Sequence, residues 1–153
     1  MDFSLLTQVI QELDANLNGG RIGRVSRNIQ GDILLTVIKD RKSFTLLLSP
    51  DRELPRIHLL STRPDRFPAS SGFELYLKAH LAGAAIRSIG TLNEDRIAEI
   101  RCTRARKEYR LIFELFGPHS NILLCNGSSK ILSVLRPVQP GVAVERPLSA
   151  GLE

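Results

Sequence analysis

Asn93-Glu94-Asp95-Arg96 places a carboxylate beside a guanidinium, between two apolar strand-like stretches at residues 87–92 and 96–103. On an exposed turn such a pair can read an unpaired base. The acid accepts from amino or imino groups while the arginine stacks or grips phosphate. The plainer reading is an ordinary solvated ion pair between Asp95 and Arg96. A second concentration of charge follows at Arg101, Arg104, Arg106, Lys107 and Arg110, and with Arg21, Arg24 and Arg27 it offers a phosphate-facing surface. Basic strand edges that deter edge-to-edge pairing account for the same residues equally well. Aromatic residues are few (two Tyr, six Phe, no Trp) and mostly fall at inward phases, so a base-stacking platform is not expected.

Catalytic signatures are missing from the chain. There is no GxSxG, no phosphate-binding loop, no zinc spacing and no carboxylate pair beside an activated histidine. Gly117-Pro118-His119-Ser120-Asn121 sets a serine next to a histidine, but neighbours on a tight turn rarely face each other. The expected role of Ser120 and Asn121 is to satisfy backbone groups ahead of a buried strand. His58, His80 and His119 lack metal-ligand spacing, and His80 falls on the apolar stripe of a helix, where a packed, hydrogen-bonded histidine is expected. Cys102 and Cys125 lie in apolar segments without a CxxC pattern and are expected as buried, reduced thiols. No metal and no cofactor is expected.

The elements that must position these residues belong to an ordinary soluble chain. Its 153 residues, 42% hydrophobic and 24% charged, suffice for one domain with its own core. Apolar runs such as Leu46-Leu47-Leu48 are far too short to cross a bilayer. Met1-Asp2-Phe3 carries an acid where an export signal carries basic residues, so the expected compartment is the cytoplasm. Sixteen arginines against five lysines, with a net charge of +5, favour an anionic partner, because the guanidinium matches phosphate and base edges better than an ammonium does.

Phe3, Leu6, Val9 or Ile10, Leu13 and Leu17 recur at helical spacing, with Asp2 able to cap the start and Asn18-Gly19-Gly20 the end. The period then falls to two. Ile33, Leu35 and Val37 form one strand, Lys39-Asp40-Arg41-Lys42 turns the chain, and Phe44, Leu46 and Leu48 form the inward face of the next, with a further strand at residues 56–60. A loop at residues 61–70 leads to a second helix, whose Ser71-Gly72-Phe73-Glu74 has capping-box spacing. Phe73, Tyr76 or Leu77, His80 or Leu81, and Ala84 form its buried stripe. Strands resume at Ile86. Ala98, Ile100 and Cys102 point one way and Ile97, Glu99 and Arg101 the other, and the return strand carries Tyr109, Leu111, Phe113 and Leu115. Two further runs, 121–125 and 130–135, flank an Asn126-Gly127 hairpin turn. The sum is an α+β fold, a mostly antiparallel β-sandwich flanked by two helices. Residues 1–136 form the domain, and the proline-rich, aperiodic residues 137–153 read as a linker.

Several of these segments, in this order, resemble the N-terminal domain of the NFACT family, also called fibronectin-binding protein A-like. They are Asp2-Phe3-Ser4-Leu5-Leu6, Leu17-Asn18-Gly19-Gly20-Arg21-Ile22, Leu46-Leu47-Leu48-Ser49 with Arg56-Ile57-His58-Leu59, and Tyr76-Leu77-Lys78-Ala79-His80-Leu81. Asn93-Glu94-Asp95-Arg96-Ile97, Phe116-Gly117-Pro118-His119-Ser120-Asn121-Ile122-Leu123-Leu124 and Val138-Gln139-Pro140-Gly141 complete the set. The chain departs from the family's pattern at Pro118, where an arginine is usual, and in its second helix. The resemblance implies a ribosome-associated quality-control factor. Such a factor binds the large ribosomal subunit carrying stalled peptidyl-tRNA, holds tRNA (alanyl-tRNA in bacterial members) and supports C-terminal alanine tailing of the trapped chain. The family's tRNA-engaging residues fall by position on Asp2, Asp95 and Arg96. The resemblance also implies a fold similar to the N-terminal domain of formamidopyrimidine-DNA glycosylases. Those enzymes use an N-terminal proline amine beside a glutamate; Met1-Asp2-Phe3 offers neither, so that chemistry is rejected and a non-catalytic binding module is expected. The family's helix-hairpin-helix, coiled-coil and C-terminal RNA-binding regions are not represented in these residues, so this chain should bind rather than complete the task. Fibronectin, from the family's older name, is the alternative partner.

Overall fold

Asp2 sets the start of the first helix because its carboxylate oxygen Oδ1 accepts the Leu5 N–H at 2.8 Å, satisfying one of the donors that a helix N-terminus leaves unpaired. The computed structural model describes residues 1–137. Helix α1 (Phe3–Leu17) buries Leu6, Ile10, Leu13 and Leu17, the three-to-four spacing expected of one face. It ends where the Asn18 N–H donates to the Asp14 carbonyl and Gly19 turns the chain with φ +88°.

Five strands follow: β1 (Arg21–Arg27), β2 (Ile33–Lys39), β3 (Lys42–Ser49), β4 (Arg56–Leu59) and the two-residue β5 (Phe67–Pro68). After helix α2 (Gly72–Leu81) come β6 (Ala85–Thr91), β7 (Ile97–Arg104), β8 (Lys107–Glu114), β9 (Asn121–Asn126) and β10 (Ile131–Val134). All pairs are antiparallel, and the α+β class expected from the sequence holds. The strands form one hydrogen-bonded path, β10-β9-β8-β7-β6-β1-β2-β3-β4, with β5 added beside β1.

The path is narrow at one point. Strands β1 and β6 share a single ladder pair, Arg21 with Ala85. Around it the Gly19 N–H donates to Ile86, Ile86 to Gly20, Ile22 to Ala84 and Gly83 to Ile22, at 2.7–2.9 Å. This seam joins β1–β4 to β6–β10. Inward residues from both halves, among them Ile33, Leu35, Val37, Leu46, Leu48, Ile100, Leu111 and Phe113, share one core with both helices. Ile97, Ile112, Leu123 and Cys125 form a second, smaller cluster on the reverse face of β7–β9. The alternation read from the sequence in β7 therefore separates two apolar layers rather than core from solvent.

Helix α2 carries the full capping box. Ser71 Oγ accepts the Glu74 N–H at 3.1 Å, and Glu74 Oε1 accepts the N–H groups of Ser70 and Ser71. Three expectations are corrected. The helix stops at Leu81, so Ala84 is buried by the seam and not by the helical stripe. The loop at residues 61–70 contributes β5, which pairs Pro68 with Ser26 and Phe67 with Arg27. The β9–β10 connection is not a two-residue Asn-Gly turn. Asn126 Oδ1 accepts from both Ser128 and Lys130 N–H, and the left-handed position is Ser129, at φ +67°.

Residues 137–153, read as a linker, lie outside the described residues except for Pro137, as does Val138-Gln139-Pro140-Gly141.

Gly20 stands in the seam with no room for a side chain. A Cβ there would lie 3.0 Å from both the Leu17 carbonyl oxygen and Val37 Cγ1, and 3.1 Å from the Ile38 carbonyl oxygen. Gly20→Ala is therefore expected to destabilise the fold by about 1–3 kcal/mol in a denaturant melt, whereas Gly72→Ala, with open space at its Cβ, should stay within about 0.5 kcal/mol.

Candidate nucleic-acid interface

The turn between β6 and β7 is built from backbone bonds before any side chain takes part. Asn93 and Glu94 both adopt left-handed φ, +56° and +52°, as a tight hairpin turn requires. The Asp95 N–H closes it on the Leu92 carbonyl at 3.0 Å, and the Ile97 N–H folds back onto the Asp95 carbonyl at 2.7 Å, so Arg96 sits at the apex of a three-residue turn. The Arg96 carbonyl in turn accepts the Leu115 N–H, tying the turn to the end of β8. Asp95 and Arg96 do not form the solvated ion pair expected from sequence. Asp95 Oδ1 accepts the Arg96 backbone N–H at 2.6 Å, while the Arg96 guanidinium lies over the Phe116 ring, 5.8 Å from its centroid. Both side chains are exposed. The result is a carboxylate and a guanidinium presented separately on one rigid loop.

Asp2 lies toward the same end. Helix α1 runs antiparallel to β6, with Gly19 bonded to Ile86 and Asp14 Oδ1 accepting the Ile89 N–H at 2.9 Å, so its N-terminus points toward the 93–96 turn. Among the described residues no hydrogen bond or ion pair joins Asp2 to Asp95 or Arg96. Next to that turn, the Gly117–His119 segment makes a single 3-10 turn. Ser120 donates its hydroxyl to the Gly117 carbonyl, and Asn121 bonds the Ile122 and Arg136 N–H groups and the Arg136 carbonyl. These are the backbone-satisfying roles expected of them. Arg136 clamps the carbonyls of Ser120 (2.7 Å) and Pro50 (2.9 Å). Its pKa is pulled below the ordinary arginine value by burial and by the nearby Arg52 charge, against Asp51.

The arginines expected to meet phosphate separate into three groups. Arg27 pairs with Glu74 at 3.8 Å and covers Phe67, and Arg101 pairs with Glu99 at 3.4 Å. Arg110, counted with the basic cluster, is bound between Glu99 and Ser129. All three are ion-paired, with Arg101 and Arg110 sharing the single Glu99 carboxylate and Arg101 still exposed. Arg24 is exposed on the outer face of β1, beside Arg66, which donates to the hydroxyls of Thr36 and Thr45 at 3.2 Å. Arg21, Arg104 and Arg106 come together with Arg87, which the sequence did not single out, around an open groove of about 880 Å³ that also holds Glu108. This groove is bounded by the first residues of β6 and the last of β7, so it lies at the opposite end of the β6–β7 hairpin from Asp95 and Arg96. The residues expected to act together thus fall at two separate places.

His80 packs as expected, stacked on Tyr76 at 4.2 Å between ring centroids and edge-on to Tyr109 at 5.5 Å. Cys102 and Cys125 are buried and are not joined by a disulfide. Among the described residues no group of three or more His, Cys, Asp or Glu is arranged to hold a metal ion, and no helix is long and apolar enough to cross a membrane.

A family described as NFACT N-terminal and middle domains matches residues 2–153. A protein of Streptococcus pneumoniae named Rqc2 homolog RqcH is 34% identical over 143 residues, 90% of this chain but only 26% of the relative's length. Among solved structures, the N-terminal domain of fibronectin-binding protein PavA from Streptococcus pneumoniae superposes with a TM-score of 0.87 at 33% identity. That match covers 98% of this chain and 59% of the other. The N-terminal region of the fibronectin/fibrinogen-binding protein from Streptococcus suis gives 0.89 at 30%, covering 99% and 59%.

Burial pushes the Cys102 thiol up from 9.0 to about 12. The folded state thus favours the protonated thiol. Stability from this group is full below pH 9 and is lost as pH rises toward 12. Alkylation of Cys102 at pH 8, followed by mass spectrometry, should proceed only as fast as the chain opens. At the other end, Asp2→Ala should cost about 1 kcal/mol through the lost cap, while Asp2→Asn keeps the cap and removes only the charge. Comparing the two by thermal melt separates the carboxylate's structural role from any role in binding.

Proposed function

The chain belongs to the NFACT family, and from that premise we propose that it is the tRNA- and large-subunit-binding module of a ribosome-associated quality-control factor. In this reading the complete protein recognises a split large subunit carrying stalled peptidyl-tRNA, works in the cytoplasm, and supports C-terminal tailing with alanine delivered by alanyl-tRNA. The chain spans about a quarter of the length of the curated relative it matches, so it supplies recognition while other regions supply the remainder.

The observation that carries the reading is the 93–96 turn. A base can be read by a carboxylate that accepts its amino or imino donors and a cation that stacks or grips phosphate, provided both are exposed and do not neutralise each other. Asp95 and Arg96 fit that description, since the Asp95 carboxylate bonds the Arg96 backbone N–H and not its guanidinium, which lies over Phe116. Asp2, toward the same end, adds a second carboxylate on a capped helix. A second reading takes its support from the solved relatives, both named for binding fibronectin. A fibronectin-binding module would use a surface indifferent to the 93–96 turn.

Filter binding to bulk tRNA and to duplex DNA of similar charge tests this directly. The wild-type chain is expected to prefer tRNA, and Asp95→Ala with Arg96→Ala should lose that preference without a change in thermal melting. In the complete protein the same double substitution should abolish tail synthesis. Saturable fibronectin binding that survives the double substitution, with no preference for tRNA, would instead support the second reading.

A further inference from the structure

The groove at the far end of the β6–β7 hairpin differs from the glutamate-paired arginines in how its cations are held. Arg21 donates to the Gly83 carbonyl at 3.1 Å, Arg104 to the Ala79 carbonyl, and Arg87 to the Thr103 hydroxyl at 3.0 Å. Each acceptor is neutral. Two are carbonyls at or just beyond the C-terminal end of α2, where unpaired acceptors collect and a cation is favoured. These guanidiniums are thus fixed in direction while keeping their full charge and most of their five donors. Arg27, by contrast, is ion-paired with Glu74, and Arg101 and Arg110 share Glu99. Arg106 completes the ring from the β7–β8 turn, at φ +65°, and Glu108 is the one carboxylate among the groove residues. Four arginines against one carboxylate leave a surplus of +3 around a groove with no aromatic side chain in its lining.

We propose that this groove binds the phosphodiester backbone of RNA, a second contact on the molecule that the 93–96 turn recognises. The proposal rests on the RNA-binding reading above but assigns a separate surface to it. Guanidiniums held in fixed directions suit phosphate oxygens, which accept paired N–H donors, and a cation that is not already neutralised releases counterions when it binds. The absence of aromatic lining means the groove reads backbone and not bases. It fixes position along the RNA while sequence is read elsewhere.

Arg87→Gln with Arg106→Gln removes two charges and leaves Arg21 and Arg104 on their carbonyls. Fluorescence anisotropy of the chain with labelled tRNA across a salt series measures the outcome. A contact with two phosphates predicts that the slope of log K against log salt flattens by about 1.4–1.8, with unchanged thermal melting. Arg52→Gln with Arg63→Gln, both exposed and outside the groove, should leave the slope within error. Equal flattening in both doubles would overturn the proposal, as would no change in the first, or displacement of tRNA by polyglutamate at equal charge as effectively as by unlabelled RNA. Asp95→Ala with Arg96→Ala should leave the groove's share of the slope in place. If that variant keeps the wild type's tRNA preference while the groove double flattens the slope, recognition by the turn fails and the groove assignment stands.

Discussion

Everything in this molecule is arranged around the seam where residues 19–22 meet residues 83–86. Four backbone hydrogen bonds and one ladder pair connect two β units that each form by local hairpins. Because the seam uses main-chain groups, it demands close approach and little else, which is why Gly20 lies against the Leu17 and Ile38 carbonyls. It also fixes the helices. Helix α1 ends two residues before the seam's first segment and α2 two residues before its second, so both apolar faces are delivered to the same core. Register across so short a junction must be held by packing as well, and Asp14 reaching Ile89 provides a polar check on it.

The seam also explains the placement of charge. The carbonyls at the end of α2 would face solvent or remain unpaired, and arginines from β1 and β7 satisfy them. A structural need for cations at a helix C-terminus thus leaves guanidiniums crowded at one surface. On the reverse face of β7 and β8 the same residue type is consumed by Glu99. Arginine content therefore says little by itself, because what separates a binding surface from a structural one is the chemistry of the acceptor that each guanidinium meets.

Much of the architecture was legible in the sequence because its signals are local. The stripe from Leu6 to Leu17, the Ser71–Glu74 capping box and the alternations Leu46–Leu48 and Leu111–Leu115 each follow from backbone periodicity or from a side chain that reaches three residues along. Where the reading failed, the cause was tertiary. Strand β5 is two residues long and has no period to detect, and the Asn126 turn is set by the side chain's bonds to Ser128 and Lys130. The arginines could be counted but not sorted, since Glu74 reaches Arg27 across 47 positions and Ala79 meets Arg104 across 25. Arg87 carried no signal beyond being an exposed residue on a strand. Phe116 did carry one, because the inward phase of Leu111, Phe113 and Leu115 turns the next residue outward, toward Arg96.

A hairpin with a charged feature at each end has a length. Strands β6 and β7 contain seven and eight residues, and at a rise near 3.3 Å per residue they separate the 93–96 turn from the arginine groove by about 25 Å. The two strands are hydrogen-bonded along that length, with one irregularity between Ile86 and Ser88, so the separation is stiff. A ligand that touches both ends must itself extend about as far, and a mononucleotide cannot do so. Under the proposed RNA-binding reading the hairpin acts as a gauge, discriminating among polyanions by size before any base is read.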